Sequence, residues 1–265
     1  MKIGFIGLGN MATAMIGGML EKGLVTSGDI IGSAKTTATI EKIMTRFNIT
    51  TVSENKKVAE QADVLFLAVK PIFLSEVIEE IKDVVRPETL IVSIAAGRTL
   101  AYLREAFGRP ELKLVRCMPN TPALVMEGCT GICAGADVTE EELQRIVGLM
   151  EAFGKASVVP ERLMDVVVGV SGSSPAYVFL FIEAMADEAV AAGMPRKQAY
   201  EFAAQSVLGS AKMVPETGMH PGELKDMVCS PGGTTIEAVK VLEEKGFRAA
   251  VMDAMEACIE KSKNM

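Results

Sequence analysis

The arrangement of hydrophobic and polar positions along the chain changes near residue 160. Up to that point, short continuous apolar runs alternate with segments in which apolar residues recur every three or four positions. The runs predict buried strands, and the recurring segments predict amphipathic helices. Strands are predicted over residues 2–6, 29–33, 64–69, 90–95 and 112–117. Helices are predicted over residues 12–20, 39–47, 72–84 and 140–153.

Beyond residue 160 the strand pattern ends. Long helical patterns then cover residues 176–192, 197–214, 235–244 and 247–262. Strands alternating with helices, followed by helices alone, predict an α/β fold with an N-terminal Rossmann-like doubly wound sheet and an all-α C-terminal domain. We place the boundary between residues 1–160 and residues 161–265.

The helix predicted over residues 176–192 is unusually apolar at its start. Residues 176–182 read A-Y-V-F-L-F-I, so apolar side chains surround much of this helix. Such a helix must be covered on most sides, and a helical domain of about 105 residues cannot easily supply that cover alone. We therefore predict a homodimer formed through the C-terminal helices, and we leave a higher oligomer open.

Composition narrows the classes of partner. The formal net charge of -7 argues against nucleic acid and against an anionic membrane surface. The five cysteines form no C-x-x-C pair, and we predict no metal site. Glycines interrupt the apolar run at the start of the chain, and no other stretch approaches the ~18 unbroken apolar residues of a membrane span. We expect a cytoplasmic protein whose ligands are small molecules.

A glycine-rich turn follows the first predicted strand and opens the first predicted helix. Residues 7–12 read G-L-G-N-M-A and match G-x-G-x-x-A. In this context Gly7 permits the tight turn, Gly9 lets the backbone approach a pyrophosphate, and the helix that begins near Asn10 and Met11 offers free N–H groups to the anion. The alternative is a tight strand-to-helix turn without a ligand.

The end of the second predicted strand carries no carboxylate. Rossmann folds that prefer NAD usually place Asp or Glu there to bind the ribose 2′-hydroxyl. Here Ser33, Lys35 and Thr36 stand in that region, and hydroxyls with an ammonium group suit a 2′-phosphate better. We therefore predict NADPH as cofactor, with NADH used at lower efficiency. The alternative is an ordinary polar loop.

Two further strand ends are predicted at the carboxyl edge of the sheet, where such sheets bind their ligands. Residues 68–71 read A-V-K-P, and residues 116–122 read R-C-M-P-N-T-P. A proline after a strand turns the chain outward, so we expect Lys70 and Asn120 at the rim. Asn120 could bind the nicotinamide carboxamide, although Asn and Pro are also common in loops for local reasons. The cofactor contacts predicted on these two loops are Ala68, Val69, Lys70, Met118 and Asn120.

The segment of residues 224–239 reads as a loop that feeds a helix. Thr234 and Glu237 have the spacing of a capping box, with Thr234 as the N-cap. Gly232 and Gly233 leave backbone N–H groups unshielded, so this turn can hold a carboxylate, and Thr235 would present its hydroxyl one residue further on. The sole histidine, His220, lies in a sequence typical of a turn between helices, and we do not assign it a catalytic role.

Together these motifs resemble those of pyrroline-5-carboxylate reductases in order and spacing over nearly the whole chain. The motifs that carry the resemblance are GLGNM at 7–11, AVKP at 68–71, CMPNTP at 117–122, SGSSPAY at 171–177 and SPGGTT at 230–235. The resemblance implies reduction of 1-pyrroline-5-carboxylate to proline by NADPH and an interleaved dimer. It also implies that Ser230, Gly233 and Thr234 bind the substrate carboxylate and that Thr235 bonds the imine nitrogen, with Gly232 in the same loop.

Two other functions remain alternatives. A β-hydroxyacid dehydrogenase would need a lysine on the helix between the domains, and the helix predicted over residues 176–192 has none. A non-catalytic NADPH-binding regulator would have lost its substrate loop, whereas residues 230–235 are intact. Ser174 stands where glycine is frequent in the family, and Thr217 and Gly218 occupy a stretch that is acidic in some relatives.

Overall fold

A computed structural model describes all 265 residues of the chain. Its centre is one sheet of eight strands in the order β3-β2-β1-β4-β5-β6-β7-β8. All neighbouring strands are parallel except β6 and β7, which are antiparallel. The strands are β1 (Ile3–Ile6), β2 (Ile30–Ser33), β3 (Thr50–Val52), β4 (Val64–Leu67), β5 (Leu90–Ser93), β6 (Lys113–Met118), β7 (Gly128–Ala134) and β8 (Gly154–Val158).

Seven helices accompany the sheet: α1 (Asn10–Glu21), α2 (Thr37–Phe47), α3 (Asn55–Gln61), α4 (Leu74–Ile81), α5 (Leu100–Phe107), α6 (Glu140–Glu151) and the short α7 (Met164–Val167). Five more follow: α8 (Ser174–Ala191), α9 (Arg196–Thr217), α10 (Pro221–Val228), α11 (Thr234–Glu244) and α12 (Phe247–Lys263). One π-helical turn, Val168–Gly172, lies between α7 and α8. The Rossmann-like α/β fold with C-terminal helices is therefore confirmed.

Alternate residues of the central strands enter two separate apolar cores. Phe5 and Phe66 belong to one core and stack with ring centroids 4.8 Å apart, while Ile6 and Leu65 belong to the other. This alternation is what a strand with helices on both faces requires, and it explains why the strands read as continuous apolar runs. The order of β3, β2, β1, β4, β5 and β6 is that of dinucleotide-binding sheets.

The five predicted strands are all present, with ends shifted by one or two residues. Three strands were not predicted, because β3 has only three residues and β7 and β8 are rich in glycine and polar residues. Helices α3, α5, α7 and α10 were also missed. The prediction that residues 224–239 begin as a loop is wrong at Leu224, which lies inside α10.

The chain forms two compact units: Met1–Ser173 with Cys258–Met265, and Ser174–Ala257. These bounds differ from the predicted domains, because residues beyond 160 pack into the first unit. Glu161 Oε1 accepts hydrogen bonds from Arg116 at 2.8 Å and from the backbone N–H of Leu100 at 2.7 Å. The functional division at residue 160 stays a prediction.

The second unit has little core of its own. In α8 only Pro175 and Ala186 are buried, whereas Phe179 and Leu180 are 63% and 67% exposed. By length and composition, the helical stretch Glu161–Ala191 could cross a membrane, with a mean hydropathy of 1.5 over 18 residues. A single helix of this kind is weak evidence for a membrane, because helices in soluble proteins pass the same test.

Candidate functional site

The turn after β1 can be made only by glycine. Gly7 has a φ of +95°, and a Cβ there would lie 2.6 Å from the carbonyl oxygen of Ala68. Its N–H donates to the carbonyl of Ser33 at 3.0 Å. The sequence motifs at the ends of β1, β2 and β4 therefore meet at one edge of the sheet, which is the carboxyl edge where such sheets bind ligands.

The start of α1 is open to an anion. Gly9 is the N-cap and makes no side-chain cap, and no atom lies within 4 Å of the position that a Cβ would occupy. The first turn, which contains Asn10 and Met11, has no acidic residue. The free N–H groups and the positive end of the helix dipole therefore face open space, and this geometry fits a pyrophosphate.

At the end of β2 the structure adds a residue that the sequence analysis missed. Ser33 is fully buried and donates its hydroxyl to Asn55 Oδ1 at 2.7 Å. Asn55 in turn donates through Nδ2 to Glu80 Oε2 at 2.7 Å. Asn55 comes 22 residues after Ser33 and belongs to no recognisable motif, so the sequence alone carried no signal for it. Through Nδ2, Asn55 makes one hydrogen bond, to Glu80, which leaves the second amide hydrogen as a further donor.

The other two residues predicted at this end are engaged with their surroundings. Thr36 is the N-cap of α2, and its hydroxyl accepts from the N–H of Thr39 at 3.3 Å. Lys35 is exposed, with its ammonium 3.3 Å from Glu76 Oε1 and 4.7 Å from the centre of the Phe73 ring. Lys35 is thus an exposed cation at this edge, while the Thr36 hydroxyl stabilises a helix start.

The loop after β4 runs beside the glycine turn. The backbone of Ala68 and the side chain of Val69 lie nearest to the position that a Cβ would occupy at Gly7. Lys70 is exposed at the start of the following turn. The expected placement of Lys70 at the rim is confirmed. All three residues lie at the same sheet edge as the α1 N-terminus, and their contact with a cofactor stays a prediction.

Asn120 is buried, so its predicted placement at the rim is wrong. Its Nδ2 donates to the carbonyl of Ser171 at 2.9 Å, and its Oδ1 accepts from the N–H of Cys129 at 2.8 Å. The side chain therefore joins the loop after β6 to the π-helical turn and to the start of β7. Met118 lies beside the same turn, since its Cε is 2.9 Å from where a Cβ would stand at Gly172.

In the second unit, α11 begins without a side-chain cap. The predicted capping box is wrong, because the N-cap is Gly233 and Thr234 is already the first helical residue. Gly232 has a φ of +67°, and the N–H of Gly233 donates to the carbonyl of Ser230 at 3.0 Å to close the turn. The N–H of Gly233 is therefore already bonded, whereas those of Thr234 and Thr235, in the first turn of the helix, remain available to an anion.

His220 has a structural partner. It is the N-cap of α10, and its Nδ1 accepts from the N–H of Gly222 at 3.0 Å. An acceptor nitrogen at a helix start stabilises the helix in the same way as other N-cap side chains.

The sheet order and the glycine turn define a dinucleotide-dependent oxidoreductase. Residues 2–97 match the family model "NADP oxidoreductase coenzyme F420-dependent", and residues 161–265 match "Pyrroline-5-carboxylate reductase dimerisation". The chain is 54% identical over 264 residues to the pyrroline-5-carboxylate reductase of Escherichia coli (strain K12), and the alignment covers 100% of the chain and 98% of that relative. The chain belongs to the pyrroline-5-carboxylate reductase family.

Solved structures agree with this assignment. A pyrroline-5-carboxylate reductase from Coxiella burnetii superimposes with a TM-score of 0.91 at 33% identity, covering 99% of this chain and 97% of that one. The pyrroline carboxylate reductase of Plasmodium falciparum with NADP bound superimposes with a TM-score of 0.89 at 32% identity, over the same shares of both chains.

Proposed function

We propose that the protein reduces 1-pyrroline-5-carboxylate to L-proline with NADPH, which is the last step of proline biosynthesis. Full-length similarity to reductases of this name supports the proposal. Within the molecule, the observation that carries it is the start of α11, where a glycine turn leaves the first N–H groups without a side-chain cap. A small carboxylate is the ligand that such a site suits.

The first unit would bind the coenzyme through its carboxyl edge. The α1 N-terminus with Gly7, Gly9, Asn10 and Met11 would hold the pyrophosphate. The 2′-phosphate would meet Lys35, together with the second amide hydrogen of Asn55 and the N-terminus of α2. Bound NADPH supplies the hydride that is added to the imine carbon.

The remaining predicted contacts differ in what they can offer. Ala68, Val69 and Lys70 would line the coenzyme from the loop after β4, and Met118 from the loop after β6. Asn120 uses one hydrogen of Nδ2 and one acceptor site of Oδ1 inside the protein. We therefore propose that it holds its loop in place rather than binding the nicotinamide carboxamide directly.

The loop before α11 would bind and orient the substrate. The backbone N–H groups of Thr234 and Thr235 and the Ser230 hydroxyl would hold the carboxylate, and Gly232 and Gly233 shape the turn. The Thr235 hydroxyl would bond the imine nitrogen, which keeps the C=N carbon electrophilic and aligned. This role needs no strong acid, so solvent can supply the proton.

The assembly that we propose is a homodimer. Residues 161–265 match a dimerisation family model, and the exposed apolar side chains of α8 belong to that range. A second copy is a protein surface that can cover these side chains, and a helix covered in this way does not need a membrane. We propose a cytoplasmic location, since the net charge of -7 disfavours anionic membrane surfaces.

The test is a direct assay with purified protein, NADPH and 1-pyrroline-5-carboxylate. We expect proline to form in equal amount to the NADPH consumed. Thr235→Val should raise the barrier by about 2 to 4 kcal/mol, which is the loss expected for one stabilising hydrogen-bond donor. Thr235→Ser keeps the hydroxyl and should retain most of the turnover.

Two controls separate chemistry from folding. The dissociation constant of NADPH, measured by fluorescence without substrate, should be the same in Thr235→Val and the wild type. Absence of proline formation by a wild-type protein that binds NADPH would overturn the proposed substrate. Equal turnover of Thr235→Val and the wild type would overturn the role of the hydroxyl.

A further inference from the structure

One side of α4 places two carboxylates at the end of β2. Glu76 pairs with Lys35, and Glu80, one turn later, bonds Asn55. Both acidic residues therefore reach the polar groups that we assign to the ribose end of the coenzyme. The end of β2 carries no Asp or Glu, which NAD-preferring folds place there. The negative charge near this strand end comes instead from Glu76 and Glu80 of helix α4.

The ammonium group of Lys35 lies between Glu76 and Phe73. The ammonium lies 3.3 Å from the Glu76 carboxylate and 4.7 Å from the centre of the Phe73 ring, so two groups of the α4 region attract it. Both side chains of the ion pair are about two thirds exposed (66% and 67%). An exposed pair of this kind is weak and exchangeable, so another anion can displace the carboxylate.

We propose that Glu76 competes with the coenzyme's 2′-phosphate for Lys35 and thereby lowers the preference of the enzyme for NADPH over NADH. This inference rests on the proposed function, because it assumes NADPH at the carboxyl edge of the sheet. When NADPH binds, Lys35 exchanges its carboxylate partner for the phosphate, and the freed carboxylate remains close to the new negative charge. NADH has no 2′-phosphate, so its binding requires no such exchange.

The expected change in NADPH affinity follows from the exposure of the Lys35–Glu76 ion pair. Breaking an exposed ion pair and removing one nearby like charge changes an equilibrium constant by about threefold. Glu76→Gln keeps the length of the side chain and removes its charge. We expect it to tighten NADPH binding by about threefold and to leave NADH binding unchanged.

The experiment measures the dissociation constants of both coenzymes by fluorescence titration, without substrate, at low ionic strength and again in 1 M salt. The gain in NADPH affinity of Glu76→Gln should shrink in high salt, where charges are screened over about 3 Å. The matched control is Glu79→Gln, which removes one charge from the same helix at an exposed residue paired with Lys82. This control should bind NADPH like the wild type.

A double variant tests whether Glu76 acts through Lys35. In a Lys35→Ala background, the added Glu76→Gln change should give a clearly smaller gain, because no ion pair is left to compete. The inference is overturned if Glu76→Gln weakens NADPH binding, if it tightens NADH equally, or if the full gain persists without Lys35. A wild-type protein that binds neither coenzyme would instead overturn the proposed function, and this inference with it.

Discussion

Substitution of Asn120 tests whether its two hydrogen bonds hold the loop after β6 in place. Asn120→Ala removes the donor to the carbonyl of Ser171 and the acceptor for the N–H of Cys129. A buried polar group left without a partner costs about 1 to 3 kcal/mol, and the carbonyl lies in the buried part of this network. Because the N–H of Cys129 is only partly buried, the two losses together should destabilise the protein by about 2 to 4 kcal/mol.

Asn120→Asp separates the two hydrogen bonds. One carboxylate oxygen can still accept from Cys129, but the other would face the carbonyl oxygen of Ser171. This repulsion and the burial raise the pKa of the introduced carboxyl above its unfolded value of about 3.9. An acid whose pKa is raised on folding destabilises the fold at high pH. The stability of the Asp variant relative to the wild type should therefore improve as the pH falls through the raised pKa, where the protonated group can donate to Ser171.

The assay is urea denaturation followed by circular dichroism at one fixed protomer concentration, because the proposed dimer would make the stability concentration-dependent. Asn264→Ala is the matched control, since Asn264 is exposed and bonds only a carbonyl of its own helix. It should change the free energy of unfolding by less than about 0.5 kcal/mol. The reasoning is refuted if Asn120→Ala is as stable as this control, or if the Asp variant does not recover on acidification. A large loss of NADPH affinity without loss of stability would favour direct binding of the nicotinamide.

Three further outcomes are expected. Gly7→Ala should cost about 1 to 3 kcal/mol of stability and weaken NADPH binding at least tenfold, measured by titration, because φ is +95° and the added Cβ meets a carbonyl oxygen. The Lys2 backbone N–H and then Arg86 hold the pKa of Asp63 below its usual range, so the stability lost in Asp63→Asn should be full at neutral pH and should shrink in denaturation curves as the pH falls below about 4 towards the lowered pKa. Burial raises the pKa of the Cys133 thiol to about 11, so mass spectrometry should find it unmodified by iodoacetamide at about pH 8 until the protein unfolds.

The strands that could be predicted from the sequence are those whose residues are mostly apolar. Strands β1, β2, β4, β5 and β6 are mostly apolar because helices cover both of their faces, although β6 also contains Lys113 and Arg116. The remaining strands have no such apolar run, and in β7 and β8 glycine serves close packing: Gly154 has a φ of +153° and packs directly on the backbone of Gly128, where no side chain would fit. In the sequence, a glycine that allows close packing cannot be told from a loop glycine, so β7 and β8 were missed.

The candidate site shows the same limit. The glycine turn and the proposed substrate loop could be recognised in the sequence because the residues of each lie within a few consecutive positions. The partners of these residues were not, since Asn55 reaches Ser33 across 22 positions and Glu76 reaches Lys35 across 41. Such contacts are made by the sheet, which brings the ends of distant strands together. The hydroxyls of Ser33 and Thr36 were therefore predicted to bind a ligand, although in the structure they form hydrogen bonds with Asn55 and with the N–H of Thr39.

A last prediction concerns the link between assembly and activity, and it starts from α10 and α11, which flank the proposed substrate loop. Neither α10 nor α11 has a buried residue, so no core of their own unit fixes the start of α11. A site that holds a carboxylate by backbone N–H groups must be kept in place, and here the support must come from a covering surface. Under the proposed dimer, that surface is the second copy. Dilution below the dimer dissociation constant should therefore lower kcat/KM in parallel with the dimer fraction seen by light scattering. If full specific activity persisted in a monomeric sample, the loop would be rigid without its partner, and the dependence of the site on assembly would be refuted.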